Sequence, residues 1–103
     1  MYYAIYCEDV ANSLELRRSV RPAHLARLEQ LQKAGRLLAA GPLLHQDNEN
    51  PFVGGIKGSL IIAEFDNLEQ AKAWAAADPY TTAKVYKRVN VEPFKKVLPT
   101  EEG

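Results

Sequence analysis

Apolar positions along this chain follow two rhythms, one of period two and one of helical spacing. Residues 1–7 are aromatic and β-branched, which predicts a strand with Tyr3, Ile5 and Cys7 on one face and Tyr2, Ala4 and Tyr6 on the other. Neither face is polar, so both are expected to be covered. Asp9 to Leu16 reads as a polar connection, with Asp9, Asn12 and Ser13 as turn formers. Leu25, Leu28 and Leu31 then set a helical stripe, predicting a helix from about Val20 to Ala34. Ser19 would be its N-cap, Pro22 would sit in its first turn and Gly35 would end it.

Residues 36–44 predict a second strand, which Gly41-Pro42 consigns to a sheet edge or a bulge. Residues 45–58 are rich in Asn, Asp, Gly and Pro and read as an extended hairpin loop. The clearest strand is 59–65, with Ile61, Ala63 and Phe65 opposed to Leu60, Ile62 and Glu64. Asp66 or Asn67 caps a second helix, with Glu69 or Gln70 as the reciprocal partner; Leu68, Ala71 and Ala75 form its buried face and Trp74 its flank. Pro79 ends it near Asp78. A helical turn over Tyr80–Lys84, a last strand over 85–92 and a basic stretch after Pro93-Phe94 complete the chain.

This β-α-β-β-α-β order is that of a ferredoxin-like α+β domain, a four-stranded antiparallel sheet with both helices on one face. The other face would be open, yet its residues are apolar, so a homodimer packed through the sheet is expected. The 103 residues suit a single domain over 1–98 with a flexible tail over 99–103. Thirteen basic and thirteen acidic side chains balance, which removes the electrostatic case for a nucleic-acid or anionic-membrane partner. No stretch approaches the roughly 20 apolar residues of a membrane span. The single Cys7 excludes an internal disulfide and suits a reducing compartment, so a cytoplasmic protein is expected.

Against this frame of ordinary packing, His24 stands out. On a helical wheel it lies about 40° from Leu28 and about 20° from Leu31, in line with the residues that must pack. An imidazole titrates near neutrality and can act as general acid or base; the plainer alternative is a partly buried histidine bonded to backbone. Asp78 before Pro79 is a good helix cap. It also lies within about 20° of Ala71, on the covered side, where it could orient His24. Arg17, Arg18 and Arg21 form a basic cluster that reads by default as a solvated patch; Arg21 is the exception, and with Ser19, at the expected helix start, would make a site for a carboxylate or other anion. Tyr80 and Tyr6 are candidates for a pocket wall or proton donor, with simple packing as the alternative. His45 and Asp47 lack metal-ligand spacing, and the glycines form no phosphate or dinucleotide pattern, so neither metal nor organic cofactor is expected. Cys7 reads as packed rather than nucleophilic.

Five separated runs, Ser19–Leu25, Leu38–Pro42, Gly58-Ser59, Asp78–Tyr80 and Val91–Lys96, resemble the YciI-like (YCII-related) family. The similarity runs in register from Met1 to about Val97. It implies a dimeric ferredoxin-like fold and an active site centred on a histidine and an aspartate, here His24 and Asp78. The superfamily is similar to dimeric α/β-barrel enzymes that isomerise or dehalogenate muconolactone-type lactones. Lys84 departs from the pattern, standing where many relatives carry glycine and adding a charge near the expected pocket. Taken together these readings point to an enzyme acting on a small anionic organic molecule. His24 would move a proton, Asp78 would orient it, and Arg21 with Ser19 would hold the anion. The chemistry would be isomerisation, elimination or dehalogenation beside a carbonyl, or hydrolysis. The alternatives are a non-catalytic small-molecule binding module and a partner-binding accessory domain using the 45–58 loop.

Overall fold

The computed structural model describes residues 1–100. Its elements are β1 (Tyr2–Asp9), α1 (Leu14–Lys33), β2 (Leu37–Leu44), β3 (Ile56–Glu64), α2 (Leu68–Ala76), α3 (Pro79–Thr82) and β4 (Tyr86–Phe94). They form the ferredoxin-like α+β fold, with sheet order β2-β3-β1-β4 and every neighbouring pair antiparallel. The period-two pattern of β1 directs Tyr3, Ile5 and Cys7 into the core, where they meet Ile61, Ala63 and Phe65 of β3 and its exit, Leu28 and Leu31 of α1, and Ala71 and Ala75 of α2. β2 lies at the edge, where Pro42, paired with Ser59, is tolerated despite its missing N–H. At Gly58 a Cβ would lie 2.0 Å from the Cys7 carbonyl oxygen, so only glycine permits β3 to approach β1 this closely.

Boundaries differ from expectation in physically readable ways. The first helix begins at Leu14 rather than near Val20. Leu14 and Arg17 extend its inward stripe by a turn, and Pro22, expected in the first turn, lies inside the helix. Without an N–H, Pro22 has nothing to donate to the Arg18 carbonyl. β3 starts at Ile56, so the irregular loop spans 45–55, and β4 continues through Pro93 and Phe94. The expected tail over 99–103 lies largely outside the described residues.

Two helices end in the same way. Gly35 donates to Gln32 and Arg36 to Leu31 after α1; Lys84 donates to Thr81 and Val85 to Tyr80 after α3. In this motif the residue beyond the cap adopts a left-handed conformation. Gly35 does so freely at φ +71°, but Lys84 is held at φ +62°. Lys84 therefore stands where a side chain is disfavoured. Lys84→Gly is expected to stabilise the domain by about 1 kcal/mol, read as a rise in melting temperature. An unchanged or lower value would mean that the lysine side chain compensates for its backbone.

The sheet face away from the helices carries Tyr2, Ala4 and Tyr6 of β1 beside Leu60 and Ile62 of β3. Tyr6 is 42% exposed there. Among the described residues, no helix is long and apolar enough to cross a membrane.

Candidate active site

The inward stripe of α1 is built from Leu14, Arg17, His24, Leu28 and Leu31, residues three, four or seven apart. The stripe thus carries an arginine and a histidine where packing alone would favour leucine, and both are buried. Each is met by a carboxylate from a different part of the chain.

His24 Nδ1 lies 2.8 Å and 3.0 Å from the two carboxylate oxygens of Asp78. A carboxylate can only accept, so the neutral ring carries its proton on Nδ1 and keeps a free lone pair on Nε2. Asp78 is itself over-determined. It caps α3 by accepting from the Tyr80 backbone N–H at 2.9 Å. It also accepts from Arg27 Nη1 at 3.1 Å, while Arg27 Nη2 holds the Trp74 carbonyl and the guanidinium lies 4.3 Å over the indole. Cap and orienting group are therefore one carboxylate. The Tyr80 ring stacks on the imidazole at 3.9 Å and 16°.

The second cluster surrounds Arg17. Its Nε donates to Asp9 at 2.6 Å, and Nη2 to Asp9 at 2.9 Å, to the Ser59 hydroxyl at 2.8 Å and to the Gly58 carbonyl at 3.0 Å. Ser13 donates to Asp9 at 2.5 Å and Tyr86 to Ser59 at 2.9 Å. Burial works against the guanidinium's charge, but the hydrogen bonds and charge of Asp9 outweigh it and raise the Arg17 pKa. The guanidinium lies 4.8 Å from the Tyr80 centroid, so that ring joins the two clusters. Burial raises the Tyr80 hydroxyl pKa against the lowering pull of Arg17 and Arg21. The Cys7 thiol is pushed up to about 12, first by burial and then by the Asp78 charge, which leaves it packed and unreactive near neutral pH.

Between α1 and the β2–β3 half of the sheet lies a cavity of about 580 Å³, bordered by Arg17, His24 and Tyr80. It exists because β2 offers only Ala40, Gly41 and Pro42 here, too small to fill the space under the helix. Leu25, Leu28 and Ile61 supply apolar wall, and Pro51 and Phe52 bring the 45–55 loop to its rim. Among the described residues, no cluster of His, Cys, Asp and Glu is placed to hold a metal ion.

The structure brings together His24, Asp78 and Tyr80. Arg21 is exposed and lines the cavity. Ser19 does not belong to the site: it is exposed, and its hydroxyl donates to the Leu16 carbonyl at 2.7 Å. Because α1 starts at Leu14, Ser19 is no N-cap, Arg21 does not lie at the helix start, and His24 stands mid-helix. Tyr6 points to the opposite sheet face, as alternation from buried Ile5 and Cys7 requires. Sequence reasoning reads Arg17 only as part of a basic cluster, Asp9 as a turn former and Ser59 as the start of a strand, and does not connect the three. The available signal was the spacing of Leu14, Arg17 and His24 on one helical stripe.

The YCII-related domain family matches residues 1–95 of the chain. Protein YciI of Escherichia coli O6:H1 is 59% identical over 98 residues, covering 95% of this chain and all of that protein. An uncharacterized protein of Haemophilus influenzae is 57% identical over the same length and coverage. Among solved structures, the 5-chloro-2-hydroxyhydroquinone dehydrochlorinase of Burkholderia phenoliruptrix, in complex with 2,5-dihydroxybenzoquinone, is similar with a TM-score of 0.81 and 29% identity. That match covers 92% of this chain and 94% of the other.

Proposed function

The chain belongs to the YCII-related domain family, and on that premise we propose that it is an enzyme in which His24 moves a proton on a small, planar, anionic organic molecule. The observation that carries this reading is the His24–Asp78 contact at the cavity wall. With Nδ1 held by the carboxylate, Nε2 is the nitrogen left to take a proton from substrate. As the ring becomes imidazolium, the carboxylate beside it stabilises the new charge. Asp78 cannot swing away, because the Tyr80 N–H and Arg27 hold it from two other sides. Tyr80 fixes the plane of the ring by stacking. Arg21 at the cavity wall draws in an anionic substrate.

A general base suffices for an elimination: it takes the proton, the electron pair forms the new double bond and chloride leaves. The dehydrochlorinase with a similar structure, named for a chlorinated hydroxyhydroquinone and bound to a dihydroxyquinone, favours this class over hydrolysis. Chloride release from 5-chloro-2-hydroxyhydroquinone, followed with the wild type and with His24→Gln, tests the reading. Catalysed release that depends on His24 supports it; equal rates with both proteins would overturn it.

The reading includes a homodimer. Tyr2, Ala4, Tyr6, Leu60 and Ile62 give the outer sheet face an apolar surface that a second copy can cover. Sedimentation equilibrium at low micromolar concentration is expected to give twice the 11.5 kDa chain mass. A clean monomer would contradict it. The lone buried Cys7 is consistent with a reducing, cytoplasmic setting.

A further inference from the structure

We propose that Phe52 is a specificity-determining residue, and that the substrate is a planar anionic ring carrying an aromatic substituent that packs against it. This deepens the preceding reading and rests on it for the cavity being the substrate site. Size is the first observation. A single six-membered ring such as benzene fills an apolar cavity of about 150 Å³. The cavity beside His24 measures about 580 Å³, so one ring placed at the imidazole leaves most of it unfilled. The walls also differ from one end to the other. His24, Tyr80 and Ile61 are buried, whereas Arg18, Pro42 and Phe52 border the same space and are exposed. Proton transfer belongs to the buried end, where His24 lies. The exposed end is left for whatever the reacting ring carries.

Phe52 is 66% exposed. A single exposed aromatic needs no explanation on an ordinary surface, but this one borders the cavity and is held there by its own loop. The Asn48 side chain accepts from the Asn50 N–H at 2.8 Å, and the Asn50 side chain from the Phe52 N–H at 3.0 Å. The Val53 N–H donates to the Asn50 carbonyl at 3.0 Å. At the base of the loop the His45 N–H donates to the Gly55 carbonyl at 3.2 Å. Gly54 and Gly55, both at φ +82°, supply the left-handed backbone that returns the chain to β3. A wall built on bonded backbone loses little freedom when a ligand packs on it. The Arg18 guanidinium lies 5.9 Å from the Phe52 centroid and borders the cavity too. An aromatic ring beside a guanidinium suits a π-system better than an aliphatic chain, because an aryl group can pack on both.

The test is calorimetric binding of two probes that share one anionic ring, 2,5-dihydroxybenzoquinone and its 3-phenyl derivative. We expect the wild type to bind the phenyl-bearing probe at least about tenfold more tightly than the bare ring. Phe52→Ser changes an exposed position, so circular dichroism and affinity for the bare ring are expected to match the wild type while most of the phenyl preference is lost. Phe52→Trp keeps an aromatic face and is expected to retain that preference. A wild type that binds both probes equally, or a preference kept in full by Phe52→Ser, would overturn the proposal. If Phe52 served a contact between two copies of the chain instead, Phe52→Ser would keep the preference and sediment as a monomer, which also overturns it. Failure of the proton-transfer reading looks different: His24→Gln would release chloride as fast as wild type while the phenyl preference still depended on Phe52.

Discussion

Replacing His24 with glutamine is expected to lower turnover about 10²–10⁴-fold, the usual contribution of a positioned general base. Binding of a substrate or analogue is expected to change little. The asymmetry follows from the site. Glutamine keeps a polar group of similar reach on the α1 stripe, so the cavity and the Arg17 wall persist, but no nitrogen lone pair remains to accept a proton. Asp78→Asn is expected to follow the same pattern. Asparagine still caps α3, but it removes the charge that stabilises the imidazolium and can present an N–H to the ring. Turnover falls while KM holds. A variant with normal turnover at either position would remove proton transfer by this pair from the mechanism.

Arg17→Ala is expected to destabilise the protein by about 3–5 kcal/mol, as for removal of one partner from a buried ion pair. Asp9 is 8% exposed and would keep only the Ser13 hydroxyl, while Ser59 and the Gly58 carbonyl would each lose a donor. Urea unfolding of wild type and variant measures the difference. Removing both charges with apolar groups of similar volume is expected to cost much less, because no unpaired charge is left behind. A loss below about 1 kcal/mol for Arg17→Ala would show that water reaches Asp9 and that the pair is not sealed.

Much of this architecture can be read from local patterns. Tyr3, Ile5 and Cys7 declare the buried face of β1 by alternation, Pro42 declares an edge strand, and Asp78-Pro79 declares a capped turn. His24 is visible because it interrupts a leucine stripe. What stays hidden is long-range. Asp9 sits in a polar stretch that resembles a connection and Arg17 in a basic cluster, and only the fold shows that they meet across eight positions and reach β3. The helix start is obscured for a related reason. Pro22 and Ser19 offer a plausible beginning, but buried Arg17 and half-buried Leu14 extend the helix past them. Arg27 was invisible too, because its value lies in touching Asp78 and Trp74, which belong to a different helix and its exit.

The central claim is that Asp78 holds the His24 proton on Nδ1 so that Nε2 is the reactive nitrogen. Long-range proton–nitrogen NMR correlation of the neutral His24 ring in the wild-type protein reads this directly, with His45 in the exposed loop as an internal reference. The account predicts a proton on Nδ1 and an unprotonated Nε2 in the wild type, with that tautomer preference lost in Asp78→Asn. A wild-type ring protonated on Nε2 would contradict it.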